Sequence, residues 1–419
     1  MNLQTVQAKY QPIVTKISSN RYLKAIMNGM MAALPATIAG SLAALIKQLP
    51  IPVYQEFLNK SGLADIIQLP ITFTTNFLAI LFVFSITYSL VESFDKKGLT
   101  AAMLSVVAFM IITPVEPAKS AFGLAFNIPM TWLGAAGMFA AIIVAVIVGR
   151  LFIWITDKGW TIKMPDSVPP FIKESFATLV PGFIIIGIFT VIAGIFASTP
   201  FGSFHQMIYT LLQIPLQGLG GNIWALLFVS LISQVFWFFG IHGTMVVLSV
   251  MMPIWMAMDA TQLNAYSAGE ALPNIVGFMF FTVYTYGGTA LGLALLMLFA
   301  KSTRYKTLGK LSIVPAFFGI TEPLIFGTPL VFNPIFAIPF IGGSVLSLVV
   351  GYLATLVGIL PRLSGISTPV GTPIIVQGLM AGGWKIAIFQ VVLIAFWVVL
   401  WYPFFKIADK QALDQEMEH

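Results

Sequence analysis

The sequence predicts an all-α integral membrane protein of about ten transmembrane helices plus two re-entrant hairpins. Three observations carry that expectation. Only 9% of the 419 residues are charged and 58% are hydrophobic, whereas a soluble domain carries roughly 25% charged residues. Ten apolar runs approach the ~20 residues that a span needs, and short basic clusters separate them. Two further apolar segments are broken repeatedly by proline and glycine.

Residues 1–20 read as a helix lying on the membrane surface. Leu3, Val6, Tyr10, Ile13 and Ile17 recur at helical spacing, with Lys9 and Lys16 among polar neighbours and Pro12 as an interruption. The first apolar run begins near Tyr22. It has no small-residue cleavage site after it, so it reads as a retained span and not a cleaved leader. Spans follow at 22–46, 69–92, 98–114, 130–155, 176–198, 222–241, 243–258, 276–300, 331–358 and 383–405.

The basic clusters orient these spans by the positive-inside rule. Lys9, Lys16, Arg21 and Lys24 place the N-terminus inside. Lys96 and Lys97 follow two spans, and Arg150, Lys158, Lys163 and Lys173 follow four. Lys301, Arg304, Lys306 and Lys310 follow eight, and Lys406 and Lys410 follow ten. Both termini are therefore expected in the cytoplasm. Residues 201–221 read as an amphipathic connector between a membrane domain over 1–200 and another over 222–419. His205 falls on the polar side of that connector and is expected at the surface. Gly343, Ser347 and Gly351, like Gly288 and Gly292, repeat at four residues, which lets membrane helices approach closely.

Net charge is +6, but the cations lie between apolar runs, so the charge reads as topology and nucleic acid is not an expected partner. The chain has no cysteine and three histidines. That excludes disulfides, thiolate metal sites and cysteine nucleophiles. No metal or cofactor is expected.

The broken segments are LSIVPAFFGITEPLIFGTPL at 311–330 and PRLSGISTPVGTPIIVQGLMAGG at 361–383. Proline removes a backbone donor, and unsatisfied backbone cannot face lipid. Such segments read as two kinked helices or, since two fall in one half of the chain, as re-entrant hairpins lining a watery cavity. Between Lys310 and Arg362 the only charged residue is Glu322. A carboxylate at membrane depth costs about 2.5–3.5 kcal/mol on insertion scales, which makes it a functional-site candidate. Asp259 and Glu270 are the only charges between Glu174 and Lys301; they fall in a polar stretch, 259–274, that reads as an outer loop.

His242 is the second candidate, in WFFGIHGTM between Gly240 and Gly243. A neutral imidazole both donates and accepts, which suits a sugar hydroxyl. On composition alone, a packed core histidine is an equal reading. Trp237, five residues earlier, offers an aromatic face for a pyranose ring, or else ordinary packing. The second broken segment supplies uncharged groups at Ser364, Ser367, Thr368, Thr372 and Gln377. Neutral donors and acceptors with one acid suit a neutral polyol better than an ion. The candidate binding set is thus His242, Glu322, Trp237, Gly243, Thr321, Thr372 and Gln377.

At GIHG (240–243) and GITEPLIFGTPLVFNP (319–334) the chain resembles enzyme IIC, the membrane subunit of the bacterial sugar phosphotransferase system, in its lactose, cellobiose and diacetylchitobiose family. The resemblance spans nearly the whole chain, and the GITEP run is its most specific part. It implies a homodimer in the bacterial cell membrane, with the first five spans at the dimer interface and the later spans holding sugar. It also implies that His242 and Glu322 hydrogen-bond a β-linked disaccharide near its C6 hydroxyl. Glu322 would act as general base when that hydroxyl is phosphorylated. Cellobiose or diacetylchitobiose is the expected cargo, with lactose also compatible. The phosphoryl donor would be a soluble phosphorylated IIB protein charged through IIA. Without a cysteine the chain carries no phosphocysteine itself, so it is expected to act as a transport subunit and not as an enzyme. The rival readings are an ion-coupled transporter using Glu322, and an intramembrane hydrolase, which lacks any HExxH or second membrane acid.

Overall fold

The computed structural model describes residues 20–49, 51–120, 123–165, 167–328, 330–369 and 371–418. The surface helix expected over residues 1–20 lies outside these, apart from Asn20. The described chain is helical throughout, with one small β-hairpin, and forms two compact units that divide between Gly218 and Leu219.

In the first unit, α1 (Arg21–Ala32) starts where the Asn20 side chain accepts from the amides of Tyr22 and Leu23. It continues into α2 (Leu34–Lys47), so one apolar stretch covers Arg21–Lys47. Then come α3 (Pro52–Ser61), α4 (Leu63–Thr74), α5 (Leu78–Glu92), α6 (Leu99–Ile112), α7 (Met138–Asp157), α8 (Pro170–Ala177) and α9 (Leu179–Ala197). Helix α5 is central and packs on α1, α6 and α7. The α1 contact is close because Gly29 has no side chain: a Cβ there would sit 2.6 Å from the Ile86 Cα. The Ser85 hydroxyl also donates to the Gly29 carbonyl at 2.7 Å.

Two features depart from expectation in this unit. Between α6 and α7 the chain is not a plain loop: β1 (Glu116–Ser120) pairs antiparallel with β2 (Gly123–Asn127). The hydropathy pattern registers only that the segment is too polar to span. His205, expected at the surface, is fully buried. It sits in α10 (Phe204–Ile208), edge-on to Phe109 and Trp132. Its Nδ1 lies 3.2 Å from the Ile112 carbonyl and its Nε2 lies 3.5 Å from the Thr113 hydroxyl. These two partners at the end of α6 satisfy the ring, so burial is tolerated. A π-helical turn (Tyr209–Gln213) then leads into α11 (Ile214–Gly220).

The second unit holds α12 (Ile223–Phe238), α13 (Gly243–Ala268), α14 (Phe278–Thr285), α15 (Ala290–Leu298), α16 (Thr303–Phe317), α17 (Glu322–Gly327), α18 (Ala337–Leu356), α19 (Ile374–Gly382) and α20 (Trp384–Met417). Over the described residues, eight helical stretches are long and apolar enough to cross a membrane. The remaining two expected spans correspond to α6, with 14 residues, and α12, with 16. The small residues of α18 admit close neighbours: a Cβ on Gly351 would meet the Tyr284 ring, and Ser347 accepts from the Trp397 indole at 2.7 Å.

The expected span at 276–300 is present over Phe278–Leu298, with a 3-10 turn at Tyr286–Thr289, where Thr289 takes φ +69°. One correction applies here. Asp259 is not in an outer loop. It lies inside α13, 8% exposed, and its Oδ2 accepts from the Met279 amide at 2.7 Å. It therefore satisfies the first turn of α14, whose amides have no partner within their own helix. Glu270 follows α13 and is exposed.

Candidate functional site

The first part of the site is the turn between α12 and α13. Helix α12 stops at Phe238, and Gly240 takes φ +77°, a left-handed conformation that favours glycine. His242 then caps α13, its Nδ1 accepting from the Met245 amide at 3.3 Å. An amide can only donate, so Nδ1 is unprotonated and the neutral ring carries its proton on Nε2. The imidazole is exposed, with its centroid 4.2 Å from that of Trp237. Trp237 is itself held by an indole bond to the Thr244 hydroxyl at 3.1 Å and is 8% exposed. It orients His242; within the chain its faces are largely covered. Gly243 is buried because a Cβ there would lie 1.8 Å from the Ser233 carbonyl oxygen. Its requirement is close packing of α12 against α13.

The second part is the first broken segment. Helix α16 ends at Phe317, Gly319 takes φ +77°, and α17 begins at Glu322 with Pro323 in its first turn. The Thr321 carbonyl accepts from the amides of Leu324 and Ile325, each at 3.0 Å, while its side chain is buried beside Gly287. Glu322 is exposed at the N-terminal end of α17. The chain after α17 returns to the histidine turn. Phe332, at φ +56°, donates its amide to the Phe238 carbonyl at 3.0 Å, and its ring lies edge-on to Phe238 and Phe239. This seam joins the stretch that follows α17, the helix Glu322 opens, to the turn that carries His242.

The third part is the second broken segment. Its residues 360–369 and 371–373 are irregular before α19 begins. The Ser364 hydroxyl donates to the Ala381 carbonyl, closing the segment on itself. Thr372 donates to the Pro369 carbonyl at 2.7 Å. Gln377 is buried, its amide nitrogen 3.3 Å from the Thr368 hydroxyl and its Oε1 without a partner among the described residues. The Thr372 and Gln377 side chains thus bond within their own segment.

Sequence reasoning missed Tyr286. Its hydroxyl lies within hydrogen-bond distance of the Phe317 carbonyl, at 3.1 Å, and of the Thr372 carbonyl. It therefore ties both broken segments to the break in the α14–α15 span. The only sequence signal was the tandem Gly287–Gly288 inside an apolar run. Phe332 was also missed; Asn333–Pro334 after it marks a turn without showing where the turn docks.

Chemically, the His242–Glu322 pair offers one donor and one anionic acceptor. A hydroxyl between them could accept from Nε2–H and donate to the carboxylate, a charge-assisted bond and among the stronger kinds.

Comparison with known proteins gives a consistent result. A family profile for the phosphotransferase system, EIIC, matches residues 27–344. The cellobiose-specific EIIC component of Geobacillus stearothermophilus is 36% identical over 99% of this chain and 96% of its own length. The lichenan permease IIC component of Bacillus subtilis (strain 168) is 35% identical over 99% and 95%. The crystal structure of the transporter ChbC, IIC component of the N,N'-diacetylchitobiose-specific system, matches with TM-score 0.92. It is 35% identical over 99% of both chains.

Proposed function

Because the chain belongs to the phosphotransferase-system EIIC family, of which it is a sugar-permease subunit, we propose that it carries a β-linked disaccharide and presents that sugar's C6 hydroxyl to a separate phosphorylated IIB protein. The observation that carries this reading is that exposed His242 and exposed Glu322 open α13 and α17 in two segments joined through the Phe332–Phe238 hydrogen bond. The names of the relatives support the sugar class: cellobiose, lichenan and N,N'-diacetylchitobiose.

In this reading the outward-open site admits the disaccharide. His242 donates from Nε2 to the C6 oxygen, and Glu322 accepts that oxygen's proton in a hydrogen bond. Trp237 fixes the imidazole plane. Thr321, Gly243, Thr372 and Gln377 shape the surroundings, and the unpaired Gln377 oxygen is available to a sugar hydroxyl. The unit from Leu219 onward then carries the sugar inward relative to the first unit, which forms the homodimer interface, in alternating access. IIB, charged through IIA, docks from the cytoplasm, where both termini lie. As the C6 oxygen attacks phosphorus, its proton passes to Glu322 and the phosphorus–sulfur bond to the IIB cysteine breaks.

The test is titration calorimetry on purified protein with cellobiose, N,N'-diacetylchitobiose and lactose. One of the three is expected to bind. Glu322→Gln and His242→Ala are each expected to weaken it by about 1.5–3 kcal/mol, roughly tenfold to more than hundredfold. If both variants bind sugar like the parent, the assignment is wrong.

A further inference from the structure

The first unit contains a cavity of about 570 Å³, within the roughly 300–1,000 Å³ typical of small-molecule sites. It is made by the α5–α6 loop, the end of α7 and the α8–α9 junction. Lys96, Lys97 and Lys173 line it, with Thr100, Thr156 and Phe152. Lys96 pairs with Asp157 at 2.7 Å, and Lys97 and Lys173 each keep an interaction within the chain. Three lysines thus line one partly apolar hollow, one of them ion-paired to Asp157. Lysine is a strongly hydrated point charge that suits phosphate oxygens.

Two neighbouring features indicate the source of that phosphate. Trp154 and Trp160 meet edge-to-face at 5.2 Å beside this end of α7, and both are exposed. Exposed tryptophan marks the headgroup level of a membrane protein. From the rim of the cavity, Phe176, Leu179 and Phe183 run along α8 and α9 as exposed apolar side chains, Phe183 at 75%. Acyl chains would cover that run, and a free anion would leave it bare. We propose that this cavity binds the phosphate group of an anionic phospholipid such as phosphatidylglycerol, with its acyl chains lying along α8 and α9. Basic pockets between helices on the cytoplasmic side are suited to such headgroups.

The experiment uses the full chain in neutral micelles without sugar headgroups, titrated with short-chain phosphatidylglycerol, short-chain phosphatidylcholine or inorganic phosphate. Binding is read by thermal shift and native mass spectrometry. Phosphatidylglycerol is expected to bind more tightly as salt is lowered, and the other two probes to bind far more weakly. The double variant Lys97→Gln/Lys173→Gln is expected to lose about thirtyfold in that affinity. Lys97→Arg/Lys173→Arg is expected to keep it, which separates charge from folding. Lys406→Gln/Lys410→Gln, with the same net charge change in the other unit, is expected to leave it unchanged. Equal binding of phosphatidylcholine, saturation by inorganic phosphate, or full affinity in the glutamine variant would each overturn the proposal. So would a glutamine variant that loses only binding of an acidic phosphoryl-carrier protein.

Discussion

In the proposed site His242 and Glu322 would divide the work of recognition by what each can donate. The Met245 amide claims Nδ1, so the imidazole presents a donor. The carboxylate has no proton to give and presents an acceptor. A hydroxyl satisfies both, whereas a halide, a metal cation or an ether oxygen satisfies only one. This arrangement depends on the residue beside the histidine. Gly243 lies where a methyl group would stand 1.8 Å from the Ser233 carbonyl oxygen, and backbone oxygen cannot rotate away. Gly243→Ala should therefore push α13 from α12 and cost about 1–3 kcal/mol of stability. The expected result is a lower thermal midpoint together with weaker sugar binding, because the His242 cap moves with α13. Gly218→Ala is the matched control, since nothing lies within 4 Å of a Cβ there. Equal midpoints for the two variants would show that the turn tolerates the shift.

At the scale of elements, the three breaks in the apolar helices are coupled by one hydroxyl. Tyr286 stands in the break of the α14–α15 span and reaches a carbonyl in each broken segment. Tyr286→Phe removes the one proton that those two carbonyls share, at a cost of about 1–3 kcal/mol if they stay dry. Hydrogen exchange is expected to quicken together at residues 318–321 and 371–374 in that variant, with the turn at 240–243 unchanged. Faster exchange in one segment only would mean that Tyr286 serves that segment alone. This coupling also marks the boundary of what the sequence discloses. Glu322 stands out as a candidate because a lone acid in an apolar run has a solvation cost that composition cannot hide. The breaks at 311–330 and 361–383 were legible because proline and glycine state them directly. Tyr286 was not, since a tyrosine donating to distant carbonyls leaves no periodic trace. Asp259 misled for a related reason: with Glu270 it made a polar stretch that reads as loop, although its role is to cap α14 from inside a helix. His205 misled because spacing assigned it a polar face, while Phe109 and Trp132 closed over it.

For the whole molecule, the question is how such a carrier would move cargo in a single direction. Family membership makes it the membrane component of a phosphotransferase complex, and in the proposed function its product differs from its substrate by a phosphate. That group carries about −1.5 to −2 charges near neutral pH. In the proposed pose it forms at the oxygen that Glu322 contacts. Two charges some 5 Å apart interact by roughly 3 kcal/mol per charge pair at an effective dielectric near 20. The carboxylate that helps hold the sugar would then repel the phosphorylated sugar, and release needs no second site. The prediction is that the 6-phosphate competes with free disaccharide at least about a hundredfold less well than unlabelled sugar does in an equilibrium displacement assay. Glu322→Gln removes the charge but keeps an amide of similar shape. It should weaken the free sugar while weakening the 6-phosphate much less, so the ratio between them narrows by about tenfold or more. In vesicles this selectivity has a direct counterpart. Labelled sugar should equilibrate slowly through the chain alone, and accumulate as the phosphate only when phosphorylated IIB is enclosed. A 6-phosphate that bound as tightly as the free sugar would remove Glu322 as the source of direction. The burden would then fall on IIB release or on the resting balance between inward and outward states.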